Sequence, residues 1–358
     1  MTFSPAFPRQ LPGYFPRRRT RLYSILGLAA LLVVVAVLAA TVGSVQIPLL
    51  TTFRILVSKL PLVDIAENWP SAIGTIVLEI RLPRVILAGL VGAALATAGA
   101  TYQGLFRNPL ADPYLIGVAQ GASLGAVIGF LLPISWHGMG FGIIPLLAFI
   151  GALVSTAIVY SLARVGGAMP VTILILAGVA LGALLGSIVS YLIISSGEKM
   201  HGIIFWLMGS FSLSQWVEVK LVLPYVVVGI AVILLFSRLL NVMQLDEEQA
   251  QQLGINVERV KLILLVAATL ITAASVSFVG IIGFVGIIIP HAVRLIWGAD
   301  HRFLLPLSVL IGAIFLILAD VIARTVLAPT EIPIGVITAL CGAPFFLYLL
   351  RRRRRVIF

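Results

Sequence analysis

The chain has 358 residues, 61% of them hydrophobic and only 10% charged, with a mean hydropathy of +1.16, which excludes an ordinary soluble domain and points to a lipid bilayer. Its formal net charge is +11, but the arginines flank apolar runs, so the charge reports topology and argues against nucleic acid as a partner. A single cysteine, Cys341, excludes an intrachain disulfide or CxxC motif and reads as a small buried packing residue.

A bilayer core about 30 Å thick needs roughly 20 apolar residues per helical crossing. Residues 1–21 are a basic segment, and "PRRRTRLYSILGLAALLVVVAVLAA" has the charge-then-apolar order of an export signal, with a hint of twin-arginine export. The apolar run that starts at Leu22 is longer than a signal core and many more follow, so it reads as a first transmembrane helix. Runs of crossing length fall at about 22–46, 83–105, 113–133, 142–163, 171–194, 218–237, 261–279, 281–298, 303–323 and 333–350. They predict an all-α polytopic membrane protein of about ten helices, with one transmembrane domain over 22–350 and a basic tail, "RRRRRVIF", over 351–358. The seventh and eighth runs lack a polar loop, and Ser275 to Gly280 is the expected turn between them.

Segments that share a side with the N-terminus carry 17 Lys and Arg residues, against 7 on the other side, which predicts cytoplasmic termini. The arginine tail follows the same rule, reinforced by anionic headgroups. Small residues recur every fourth position in the second run (Gly92, Ala96, Ala100) and the fifth (Gly178, Gly182, Gly186, Ser190). Such stripes let helix backbones approach closely; the alternative for the fifth is a smooth wall of a translocation path. In "NPLADP", Asn108 to Pro113, the prolines end one helix before the next begins, and Pro290 is expected to kink the eighth run.

Ionisable residues inside the runs are nearly absent. Asp320 and Arg324 are four apart and predict a local ion pair, and so little charge argues against a proton- or sodium-coupled carrier. No phosphate-cradling, HExxH or GxSxG motif occurs, so nothing suggests an enzyme. His137, His201, His291 and His301 fall on different segments and predict no shared metal site. His201, beside Met200 and Trp206, reads either as an interfacial loop or as a contact for an incoming haem or metal complex.

One polar stretch interrupts the apolar pattern, "DEEQAQQLGINVERVK", between the sixth and seventh runs. Asp246, Glu247 and Glu248 open a short helix near its positive dipole end. Ala250 and Leu253 are expected to share an apolar face, Gly254 ends the turn, and Ile255 and Asn256 lead back to the membrane. Such a helix suits docking into a groove on a partner.

Glu248, Ala250 and Gly254 resemble a degenerate form of the Glu-x-Ala-x-x-x-Gly loop of ATP-binding-cassette importer permeases. From about Ile80 onward, "IRLPRVILAGLVGAALATAGATYQGLFRNPLADPYLIGVAQGASLGA", "GFVGIIIPHAVRLIWGADHRFLLP", "LADVIAR" and "EIPIGVITALCGAPFF" are similar to the FecCD, or type II, importer permeases for iron-siderophores, haem and cobalamin. The first 75 residues match only in general character. The resemblance implies a permease subunit with ten helices in the cell inner membrane, paired with a second permease copy and fed by an extracytoplasmic binding protein. It implies that two ATPase subunits bind ATP and Mg, leaving this chain with no cofactor, no metal site and no catalytic residue. It assigns ATPase coupling to the loop 238–260, through Asp246, Glu247, Glu248, Ala250, Leu253, Gly254, Ile255 and Asn256. It assigns binding-protein docking to Arg81 and Arg324, and the path wall to Gly178, Gly182, Gly186 and Ser190. The mechanism implied is alternating access, with a metal chelate as cargo; the alternative of another class is an ion-coupled carrier or channel working without an ATPase.

Overall fold

The computed structural model describes residues 18–43, 45–59, 67–133, 142–166, 168–245 and 247–357. Asp246 of the expected coupling helix and His137 lie outside these residues. Fourteen helices are present among them: α1 Arg18–Thr41, α2 Leu49–Ser58, α3 Ser71–Leu105, α4 Val118–Leu131, α5 Ile143–Ala163, α6 Val171–Ser195 and α7 Met200–Leu207. Then come α8 Trp216–Leu235, α9 Ser237–Val242, α10 Glu247–Gln252, α11 Val257–Val279, α12 Val285–Trp297, α13 His301–Thr325 and α14 Ile334–Ile357.

Seven of these, α1, α3, α5, α6, α8, α11 and α13, are long and apolar enough to cross a membrane. The three remaining expected crossings are the shorter apolar helices α4, α12 and the start of α14. With 14 residues in α4 and 13 in α12, these two span only about 20 Å each.

Four sequence expectations change. The second helix starts at Ser71, not near residue 83, and includes a π-helical stretch, Ile76–Arg81; Glu79, Arg81 and Arg84 interrupt the hydropathy there without interrupting the backbone. The short amphipathic α2 was not anticipated. The expected turn at Ser275–Gly280 is still helix: α11 runs to Val279, and the chain turns over Gly280 to Phe284, both at positive φ. Cys341 is exposed on α14, not buried, because the neighbouring helices cover a different face of that helix.

The turn after α11 shows why sequence periodicity could not place it. Non-helical backbone at membrane depth must be satisfied by protein groups. Tyr114, in a 3-10 turn at Pro113–Ile116, donates its hydroxyl to the Ile282 carbonyl at 2.9 Å and accepts the Ile282 N–H at 3.2 Å. Ser210 N–H donates to the Val279 carbonyl at 2.8 Å.

Close packing at the centre rests on backbone contact. Buried on most sides by α13, α11, α12 and α8, α3 is the central helix, whereas α1 and α6 are largely uncovered. A Cβ on Gly92 would land on the Gly312 carbonyl, and one on Gly99 would land on the Gly286 carbonyl. Lipid supplies no hydrophobic drive between helices, so such approaches, with the dispersion and close fit they allow, hold α3 to α13 and α12.

The ends of the bundle are distinct. The starts of α1, α6, α11 and α13 share one end with the polar α10; this is the basic end, and the opposite one is the far end.

Candidate coupling surface, far-end charge cluster and helix α6

At the basic end, α10 ends in a Schellman motif: Gly254 N–H donates to the Gln251 carbonyl at 2.9 Å, and Ile255 N–H donates to the Ala250 carbonyl at 3.3 Å. Gly254 has φ +81°, the left-handed conformation that favours glycine at this position. Asn256 then caps α11 by accepting the Arg259 N–H at 3.0 Å. The expected shared face of Ala250 and Leu253 is not present: Ala250 is fully buried against its own chain and Leu253 is 65% exposed. Leu253 lies beyond the last helical residue, and the reversal at Gly254 turns it outward. Glu248, Leu253, Gly254 and Asn256 are exposed, while Glu247 opens the helix.

This loop is fastened to the bundle on its upstream side. Gln244 Nε2 donates to the Gly104 carbonyl at 2.9 Å, and Arg107 Nε donates to the Met243 carbonyl at 3.0 Å, joining it to the end of α3. Asn241 Nδ2 donates to Asp300 Oδ1 at 2.7 Å, and Asn241 Oδ1 accepts the His301 N–H at 2.9 Å, joining it to the start of α13. Partial burial opposes ionisation of Asp300, but hydrogen bonds from Arg302 and Asn241 outweigh it and hold its carboxyl down at about 2.

At the far end, the expected Asp320–Arg324 ion pair is present at 3.3 Å, inside a larger cluster. Arg84 Nη2 and Nε reach Asp320 Oδ1 at 2.8 and 3.0 Å, and Arg84 Nη1 reaches Glu331 Oε1 at 2.7 Å. Sequence reasoning missed Arg84 and Glu331; the second arginine of "RLPR" and an acid just before the last apolar run were the available signals. Arg81, Arg84, Arg324 and Glu331 line one cavity of about 350 Å³ at this end. Arg81 and Arg324, the expected docking pair, are only 4% and 7% exposed. Arg81 donates to the carbonyls of Ala40 at 3.2 Å, Thr41 at 2.6 Å and Val45, and Arg324 donates to that of Ala39 at 2.8 Å. Both satisfy the orphan carbonyls at the end of α1.

The small-residue stripe on α6 divides. Gly178 is buried, and a Cβ there would land on the Leu115 carbonyl, so its smallness serves packing against the 3-10 turn. Gly182 and Gly186 face the Gln120 side chain of α4 with room for a Cβ, and Ser190 is exposed. Gln120, a polar side chain within an apolar helix, was not singled out from sequence. Among the described residues, no three His, Cys, Asp or Glu side chains come together as metal ligands.

A model of the FecCD transport family matches residues 31–352. The cobalamin import system permease protein BtuC of Halobacterium salinarum is 48% identical over 284 residues, covering 79% of this chain and 75% of the relative. The hemin transport system permease protein HmuU of Yersinia pestis is 40% identical over 340 residues, covering 91% and 95%. A solved transporter described as of the metal-chelate ATP-binding-cassette type, in an inward-facing conformation, is 32% identical with a TM-score of 0.78, covering 92% of this chain and 99% of that one.

Proposed function

The chain belongs to the FecCD transport family, and from that premise we propose how this multi-pass permease is driven and what it carries. It is a transport component, and its energy comes from two separate ATPase subunits that bind ATP and Mg. Two copies enclose the path, and both termini and the basic end face the cytoplasm across an inner membrane. The cargo is a metal chelate of the iron-siderophore, haem or cobalamin type, delivered by an extracytoplasmic binding protein and passed inward by alternating access.

The observation that carries this reading is the rigid, outward-facing knob at Leu253–Gly254 in a chain with no nucleotide-binding motif of its own. An exposed leucine on a stiffly capped two-turn element, tied through α9 to α3 and α13, is suited to transmit a push from a partner. The 17-to-7 distribution of basic residues supports a cytoplasmic setting for it. Gly182, Gly186 and Ser190 contribute to the path wall on α6, with Gln120 opposite. Binding-protein docking falls to the far-end cavity. Arg81 and Arg324 reach a partner's carboxylates there only when the backbone at 39–45 releases them, so in the resting chain they hold the docking face in shape.

The test is uptake into proteoliposomes that contain the permease with its ATPase pair and binding protein. ATP-dependent uptake of a ferric hydroxamate, haem or cobalamin is expected, and Leu253→Asp should abolish it while leaving the permease folded. Uptake driven by an ion gradient without any ATPase, or insensitivity to Leu253→Asp, would overturn the reading.

A further inference from the structure

The first turn of α11 grips the residue that leads into α6. Glu258 Oε2 accepts the Met169 backbone N–H at 3.0 Å, and Lys261 Nζ donates to the Met169 carbonyl at 3.5 Å. The same ammonium donates to Glu258 Oε1 at 3.0 Å, so one carboxylate and one ammonium together hold both polar groups of a single residue. Lys261 is 2% exposed and Met169 3%. Burying a lysine so fully carries a desolvation cost that only well-placed partners offset. A solvated helix end would not require it.

The clamp has little slack on either side. Downstream of Met169, Pro170 is the N-cap of α6, with φ −64°. Upstream, Val165 and Ala168 exchange N–H to carbonyl bonds at 3.0 and 3.1 Å, pinching the loop from α5 into a tight hairpin. On the other side, only residues 253–256 separate α10 from α11. The Schellman bonds and the Asn256 cap fix those four. Along its length α11 packs on α5, α4, α3 and α8, and at most marginally on α6. The Glu258–Lys261–Met169 contact is therefore the short route between them.

We propose that Glu258 and Lys261 are positioning residues that pass a displacement of α10 to the leading end of α6, coupling the ATPase contact to the helix carrying Gly182, Gly186 and Ser190. The proposal rests on the reading of α10 as the ATPase contact. Neither residue touches cargo or nucleotide. Each acts by making the start of α6 follow α11.

The experiment uses the full transporter in proteoliposomes, on a Cys341→Ser background, with a spin label on Leu176→Cys, which is 67% exposed near the start of α6. Two quantities are read: the change in label mobility between the nucleotide-free and ATP–vanadate states, and the rate of ATP hydrolysis. The parent should show a clear mobility change. Lys261→Met should shrink it at least about five-fold while hydrolysis stays within about two-fold, and Lys261→Arg should restore most of it. Glu258→Gln keeps an acceptor for the Met169 N–H but discharges the pair, and is the milder variant should Lys261→Met fold poorly; it should shrink the change about two-fold. A mobility change in Lys261→Met or Glu258→Gln equal to the parent's overturns the clamp alone. A parent with no nucleotide-dependent change, in a complex whose hydrolysis ignores Leu253→Asp, overturns the coupling reading and the clamp with it.

Discussion

Replacing Arg84 with methionine removes the centre of the far-end charge cluster and leaves its carboxylates behind. Asp320 is 1% exposed and loses contacts at 2.8, 3.0 and 3.2 Å, although Arg324 remains at 3.3 Å. Breaking a buried pair costs about 3–5 kcal/mol because the surviving charge stays buried, and the remaining Arg324 puts this arm at about 3 kcal/mol. The Glu331 side chain is 27% exposed and can turn to water, so its arm adds only about 1 kcal/mol. Arg84→Met is thus expected to destabilise by about 4 kcal/mol, and Arg84→Lys by about 2 kcal/mol, because an ammonium cannot present two forks at once. Glu331→Gln should cost about 1 kcal/mol, near the ordinary net value of a hydrogen bond. The assay is reversible unfolding in lipid–detergent bicelles followed by tryptophan fluorescence, repeated for Asp320→Asn as a double-mutant cycle with Arg84→Met. A loss below about 1 kcal/mol for Arg84→Met, or coupling to Asp320 no larger than to Glu331, would refute the argument that burial decides the ranking.

Three further outcomes follow from single contacts. Tyr114→Phe removes the protein partner of both the Ile282 N–H and its carbonyl; with no bulk water at that depth, the same unfolding assay should show a loss of about 3 kcal/mol. Gly254→Ala forces a Cβ into φ +81° where nothing lies within 4 Å. Its cost should therefore be the conformational one alone, about 1 kcal/mol, seen as faster backbone amide exchange over 250–256 with the rest of the chain unchanged. Asp300 has a folded pKa of about 2 against an ordinary 3.8, so the stability it contributes is complete above about pH 4 and disappears as pH falls toward 2. Asp300→Asn should flatten the unfolding midpoint across that window while preserving the cap on α13.

The crossings were legible because hydrophobicity fixes them: ten apolar runs correspond to ten helices. Most of the places where sequence reading slipped share a physical origin. The turn at Gly280–Phe284 carries no polar residue because Tyr114, far off in sequence, satisfies its backbone. Arg81 and Arg84 lie inside a helix because their partners come from the ends of α1 and α13. Ala250 and Leu253 obey helical spacing, yet the Schellman reversal separates them. In the first two cases the deciding contact is non-local, and a single sequence shows the demand for a partner without the partner; in the third the reversal is local, and helical spacing alone does not register it. Local chemistry was read more faithfully: Gly254 is the helix stop, and Asp320 with Arg324 is an ion pair.

The packing divides the bundle in a way that bears on transmission. One group is α1, α3, α12 and α13: glycine-to-backbone approaches join α3 to α12 and α13, while α1 packs on α13 and is tied at the far end through Arg81 and Arg324, beside the Arg84 cluster. Separating those helices would break several buried ionic and dispersion contacts at once, so motion within the group is costly. A second group, α4, α5 and α6, packs mainly within itself, and its outermost helix, α6, is largely uncovered and keeps space for a Cβ at Gly182 and Gly186. α11 packs on members of both groups, and its base carries α10 on one side and the Met169 clamp on the other. A force applied at Leu253 thus meets a stiff group that resists and a looser one that yields. Apart from the Glu258–Lys261 clamp at its base, that boundary carries almost no charge among the described residues, which keeps the cost of sliding along it low.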